Sequence, residues 1–120
     1  MAADAELKKA FQDLQMKMAD AKQKIGEGEA QKKKYSAKSR IADLTADQLK
    51  NFPASTSVYQ TLGRMFVLSG LDQEISRHSD ESKGYKEKVA ALDRQKEYLQ
   101  KSVEESEKNL REMIEIRRRE

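Results

Sequence analysis

From Leu7 onward, mostly apolar residues recur at alternating steps of four and three: Leu7, Phe11, Leu14, Met18, Ala21, Ile25, Gly28, Lys32, Tyr35, Ser39 and Ala42. The second half carries a matching series: Ile75, His78, Ser82, Tyr85, Val89, Leu92, Lys96, Leu99, Val103, Ser106, Leu110, Met113 and Arg117. A mean step of about 3.5 is a heptad seam, and a seam kept up this long favours left-handed supercoiling of one helix on another. The pattern predicts helices over about residues 5–42 and 72–118, folded back on each other within one elongated domain.

Antiparallel pairing requires the numbers of facing residues to have a constant sum. Setting the sum to 124 matches each four-step on one helix with a four-step on the other. It faces Phe11 with Met113, Leu14 with Leu110, Ala21 with Val103, and Ile25 with Leu99. A slip of one heptad, to 117, also keeps the seams in phase. The larger sum is preferred because it makes large apolar pairs at the end holding both termini and sets Lys96 against Gly28. The middle of the seam is weak. Lys32 and Lys96 sit on it, and Gly26 and Gly28 lower helix propensity.

Between the helices, Thr45-Ala-Asp-Gln48 reads as a capping box for a short helical turn that Asn51-Phe-Pro53 ends. Two β-branched and aromatic runs then flank Gly63-Arg64, Ser57 to Leu62 and Met65 to Ser69. Glycine at the first central position suits a two-residue type II′ hairpin turn. The hairpin pairs Leu62 with Met65, Gln60 with Val67 and Tyr59 with Leu68, and Asp72 is placed to cap the second helix. A lone two-stranded hairpin is marginal in water, and both of its edges are open to further strands. Either it folds down onto the helices or it joins the hairpins of other chains in a shared sheet. The second is favoured, because two helices offer little surface on which to bury both of its faces.

Composition agrees with solvated helices. Of 120 residues, 37% are hydrophobic and 38% charged, against about 25% charged in an average domain. The net charge of +3 separates 24 basic from 21 acidic residues, interleaved along most of the chain. That weakens a nucleic-acid reading; Lys32-Lys33-Lys34 and Arg117-Arg118-Arg119 are read as solvated helix surface and a helix C-terminus favoured by its dipole. With no cysteine and only His78 among the usual nitrogen ligands, neither a thiolate nor a metal set is expected. Nothing places two carboxylates in a water-excluded pocket, and Gly63-Arg64 is not a phosphate loop, so no cofactor and no catalysis are expected. The first residues lack the apolar core of a signal peptide, and no apolar run approaches the ~20 residues of a membrane span. A cytoplasmic protein without a membrane partner is the expectation.

A heptad helix, the hairpin Val58-Tyr-Gln-Thr-Leu-Gly-Arg-Met-Phe-Val-Leu68 and a longer heptad helix together resemble a β-class prefoldin subunit. Glu6-Leu-Lys-Lys-Ala-Phe11 and Asn109-Leu-Arg-Glu-Met113 extend the resemblance to both ends of the chain. The fold it implies is mostly α: a long antiparallel two-helix coiled coil joined by a short helical turn and one β-hairpin. The resemblance further implies a subunit of a hetero-hexamer of α- and β-class chains that holds unfolded proteins, chiefly actin and tubulin, without ATP. Such a complex delivers them to the cytosolic chaperonin. On this reading the hairpin residues Val58, Tyr59, Leu62, Gly63, Met65, Phe66, Val67 and Leu68 make the assembly joint. Client binding needs apolar surface left over from the seam. Ile114 and Ile116 lie off it beside Met113, and fraying of the last turns would expose Leu7, Phe11, Leu14, Leu110, Met113, Ile114 and Ile116 as a tip that grips client. The competing reading is a scaffolding coiled coil that recruits a partner helix, or a subunit of a related prefoldin-like complex.

Overall fold

The computed structural model describes residues 2–119, running α1 (Ala2–Lys50), β1 (Val58–Leu62), β2 (Met65–Ser69) and α2 (Leu71–Arg119). The chain is mostly helical, with one antiparallel two-stranded sheet between two long helices, as the heptads and the hairpin pattern predict. The described residues group into two units. One holds α1 through Ala30 with α2 from Leu92 onward; the other holds residues 31–91.

In the first unit the core is thin: Leu14, Ala21 and Leu110 are buried, while Ile25, Leu99 and Val103 are half-buried. Polar side chains stitch the helices along its edge. Lys17 Nζ donates to Ser106 Oγ at 2.9 Å, and Lys96 Nζ reaches Glu29 Oε1 at 3.1 Å. The seam lysine therefore leaves the core for a carboxylate, the usual escape of a long cationic side chain from an apolar interface. Its place opposite Gly28 is taken by Leu92, whose Cδ2 would lie 3.8 Å from a β-carbon built on that glycine.

In the second unit Ser39, Ala42, Ala46 and Ser82 form a seam of small residues, all buried. Ser39 Oγ lies 2.9 Å from Ser82 Oγ, and the Tyr35 and Tyr85 rings stack at 5.9 Å. The contacts do not hold one sum throughout. Lys17 with Ser106 and Glu29 with Lys96 bracket 124, whereas Ser39 with Ser82 has a sum of 121, and Gly28 with Leu92 and Tyr35 with Tyr85 have 120, between 124 and the one-heptad slip. A one-heptad slip would have faced Ser39 with His78.

Helix α1 does not stop near residue 42, and no separate turn starts at Thr45. Ala42 and Ala46, each 4% exposed, carry the seam one step further. Thr45 Oγ1 donates to the Ile41 carbonyl at 2.8 Å, the back-bond of a threonine inside a helix rather than a cap. The helix ends where the bonds tighten: Asn51 N to Gln48 O and Phe52 N to Leu49 O, both 3.2 Å, immediately before Pro53. Helix α2 starts at Leu71, so Asp72 lies inside its first turn, where its charge suits the dipole, rather than ahead of it.

Candidate assembly and client-binding surfaces

The strands pair from Val58 with Ser69 to Leu62 with Met65, in the predicted register. Gly63 has φ +62°, and no other described residue except glycine has a positive φ, so Arg64 does not share it. A positive φ at the first central position alone defines the II′ turn, which only glycine enters without strain. The register fixes two faces. Tyr59, Thr61, Phe66 and Leu68 share one, and all four are exposed; Val58, Gln60, Leu62, Met65, Val67 and Ser69 share the other, covered only towards its base. Phe66 is 72% exposed and Leu68 64%. The hairpin thus does not bury its apolar face on its own chain. At its base an open cleft is lined by Leu49, Phe52, Thr56, Val58, Tyr59 and Phe66, continuing the apolar surface onto the end of α1.

A polar clamp fixes the exit of the hairpin into α2. Glu74 is buried, 3% exposed, and its Oε2 accepts from Arg77 Nη2 at 2.7 Å and Nε at 3.1 Å. Hydrogen bonding from Arg77, then from Ser69 at the end of β2, holds its carboxyl below the usual glutamate range against the opposing effect of burial. The Glu74 amide donates to Gly70 O at 3.0 Å, so side chain and backbone of one residue tie strand to helix. The sequence reading missed this clamp; its only signal is the i, i+3 spacing of Glu74 and Arg77. His78 sits beside it, with Nε2 3.3 Å from Arg77 Nη2 and Nδ1 3.6 Å from Glu81, as a satisfied surface-edge histidine. Among the described residues no group of His, Cys, Asp or Glu could hold a metal ion, and no helix is long and apolar enough to cross a membrane.

The tip residues divide. Leu14 and Leu110 are buried in the seam and line one cleft with Ala10 and Met113; Leu7 is half-buried. Phe11, Met113, Ile114 and Ile116 are each exposed by about two-fifths or more, with Ile116 at 61%. Asp4 pairs with Arg117, and Arg119 with Glu115 at 3.2 Å, so two members of the terminal arginine run are engaged within their own unit. Ile41 and Leu44, on α1 off the seam, are also exposed and were not anticipated, because they fall between heptad positions.

Residues 12–117 match the family described as "Prefoldin subunit". The chain is 44% identical over 116 residues to the probable prefoldin subunit 1 of Caenorhabditis elegans, covering 97% of this chain and 99% of that one. It is 36% identical over 115 residues to human prefoldin subunit 1, covering 96% and 94%. Among solved structures, the prefoldin beta subunit from Thermococcus strain KS-1 superposes with a TM-score of 0.71 over 89% of this chain and 90% of that one, at 19% identity, which is a likeness of fold.

Proposed function

This chain belongs to the prefoldin subunit family, and on that premise we propose that it is one subunit of a hetero-hexameric, ATP-independent co-chaperone built with other α- and β-class prefoldin chains. The complex captures unfolded proteins, actin and tubulin among them, and delivers them to the chaperonin in the cytoplasm; this chain is not an enzyme. The observation that carries the reading is the hairpin. Tyr59, Leu62, Met65, Phe66, Val67 and Leu68 are all exposed on a two-stranded sheet with open edges. Burial in a sheet shared with other hairpins is worth roughly 1.5–3 kcal/mol for each large apolar side chain, before the cost of association. Such a surface is tolerated when partners cover it.

Client binding falls to the residues the seam leaves exposed, Phe11, Met113, Ile114 and Ile116, supported by Leu7, Leu14 and Leu110 beneath them. Two measurements test the proposal. Native mass spectrometry of the chain drawn from cytosol should give a hexamer with other prefoldin-type chains; a homodimer or monomer overturns the assembly assignment. In the assembled complex, Met113→Ser/Ile114→Ser/Ile116→Ser should weaken suppression of client aggregation without changing assembly. Full activity in that variant refutes the tip.

A further inference from the structure

Charges of both signs are interleaved along most of the chain, and apart from Arg117–Arg119 at the end of α2 the longest departure lies around residues 31–42 and 82–91. Residues 31–42 carry Lys32, Lys33, Lys34, Lys38 and Arg40 with no acidic residue, and residues 82–91 add Lys83, Lys86 and Lys88 against Glu87 alone. Both stretches lie in one unit, where the Ser39–Ser82 bond and the Tyr35–Tyr85 stack hold them side by side. Some of these cations are occupied. Lys86 Nζ pairs with Asp43 at 3.2 Å, Lys88 lies 5.0 Å from the centre of the Tyr35 ring, and Lys38 5.7 Å from that of Tyr85. Lys33, Lys34, Arg40 and Lys83 are exposed and take part in no ion pair among the described residues.

The heptad places Lys33 and Arg40 on one flank of α1 and Lys83 and Lys86 on the corresponding flank of α2. On that side a groove of about 390 Å³ opens between the helices, with Arg40 and Lys86 at its rim and Leu44 and Val89 in its lining. Its one carboxylate, Asp43, is engaged by Ser82 and Lys86, whose hydrogen bonds hold it below its usual range. The groove thus combines surplus positive charge with an apolar floor. We infer that it is a docking site for an extended acidic segment of a separate polypeptide, whose carboxylates meet Lys33, Arg40 and Lys83 while an apolar side chain between them rests on Leu44 and Val89. A peptide fits better than a nucleic acid. The tyrosine rings face each other under lysines, leaving no ring as a platform for bases, and a phosphodiester backbone has no use for the apolar floor. None of these residues belongs to the hairpin or the tip, so the inference stands apart from the chaperone reading.

The test uses the full chain and a fluorescein-labelled peptide of repeating Glu-Glu-Leu, followed by fluorescence anisotropy. Binding should weaken about tenfold between about 50 and 300 mM salt, as exposed charges are screened. Lys33→Glu/Arg40→Glu/Lys83→Glu should weaken it at least about tenfold further with helix content unchanged, while Lys108→Glu, on α2 in the other unit, should not. If the triple reversal costs helix content, Lys33→Gln/Arg40→Gln/Lys83→Gln decides, with an expected loss of about threefold or more. Salt-insensitive or absent binding, or an equal loss with Lys108→Glu, overturns the site. So does displacement of the peptide by a single-stranded oligonucleotide at lower charge concentration, which would make it a nucleic-acid surface.

Discussion

The buried pair Ser39 and Ser82 invites a double-mutant cycle with an asymmetric outcome. Ser82 is 1% exposed and Ser39 5%, their hydroxyl oxygens are 2.9 Å apart, and Ser82 also hydrogen-bonds the Asp43 carboxylate. With the Ser82 hydroxyl taken as the donor to Asp43, which can only accept, Ser39 becomes the donor to Ser82, and this order is what the cycle tests. Ser39→Ala therefore removes one neutral hydrogen bond and leaves Ser82 satisfied, at a cost of about 1 kcal/mol. Ser82→Ala leaves the Ser39 hydroxyl facing only the backbone carbonyl of residue 82 at 3.4 Å, a poor acceptor geometry, and the penalty of an underbonded buried group raises the cost to about 2 kcal/mol. With both hydroxyls gone nothing is orphaned, and two methyl groups meet in a seam already built of Ala42 and Ala46. The double variant should cost about 1–1.5 kcal/mol, well short of the summed singles, giving a coupling near 1.5 kcal/mol. Urea unfolding of the full-length chain by far-ultraviolet circular dichroism reads all four corners. Additive singles, within about 0.3 kcal/mol, or a Ser39→Ala more damaging than Ser82→Ala, would refute the donor order.

Three further substitutions probe other parts of the chain. Gly28→Ala should stabilise by about 1 kcal/mol, seen as a raised urea midpoint, because the added methyl meets Leu92 Cδ2 at an ordinary 3.8 Å and the helix loses one of its two glycines; a destabilised variant would refute room for a methyl beside Leu92. Gly63→Val should cost about 1–2 kcal/mol at the turn and speed amide exchange across Tyr59–Leu68 while leaving helix content intact, since φ +62° is closed to a β-branched residue. Glu74→Gln should cost about 1–2 kcal/mol at neutral pH, the value for a charged hydrogen bond discounted for a half-exposed Arg77. The folded-state pKa of Glu74 is depressed, so its contribution is present above the unfolded value and is lost as the pH falls below about 4.3 through the folded value. The difference between wild type and Glu74→Gln in urea midpoint should therefore shrink on acidification, and a constant gap from neutral pH to about pH 3 would refute the clamp.

Much of this fold was legible because its determinants are local or periodic. The heptads place the helices, and Gly63 between two β-branched runs specifies a hairpin whose register the structure repeats pair for pair. The errors came where a local signal met a longer one. Thr45-Ala-Asp-Gln48 has the residues of a capping box, yet Ala42 and Ala46 keep the seam going, and burial of two alanines with an unbroken hydrogen-bond ladder outweighs one cap. Register was half legible. Phase limits it to steps of one heptad, and the choice between them rests on side chains reaching across, such as Lys17 to Ser106, which no single-strand pattern records. Glu74 was illegible for a related reason: nothing marks a glutamate in a charged helix as buried until the hairpin returns Ser69 to it.

The surfaces were harder to read than the fold because a heptad assigns every apolar seam position to the core by default. The structure shows how far that default fails in a two-helix pair. Phe11, Met18 and Met113 are seam residues left about two-fifths or more exposed, whereas Ala21, Ala42 and Ser82 are nearly sealed. Two helices in contact close over small side chains and leave large ones straddling the interface, with one flank on the partner helix and one in water. A seam of small residues around Ser39 and Ser82 thus brings the backbones together and fixes geometry next to the hairpin. A seam containing Phe11, Met18 and Met113 leaves apolar area that a third chain could cover. The same heptad rule, with a different side-chain volume at each step, therefore yields a closely sealed seam in one unit and an exposed apolar edge in the other.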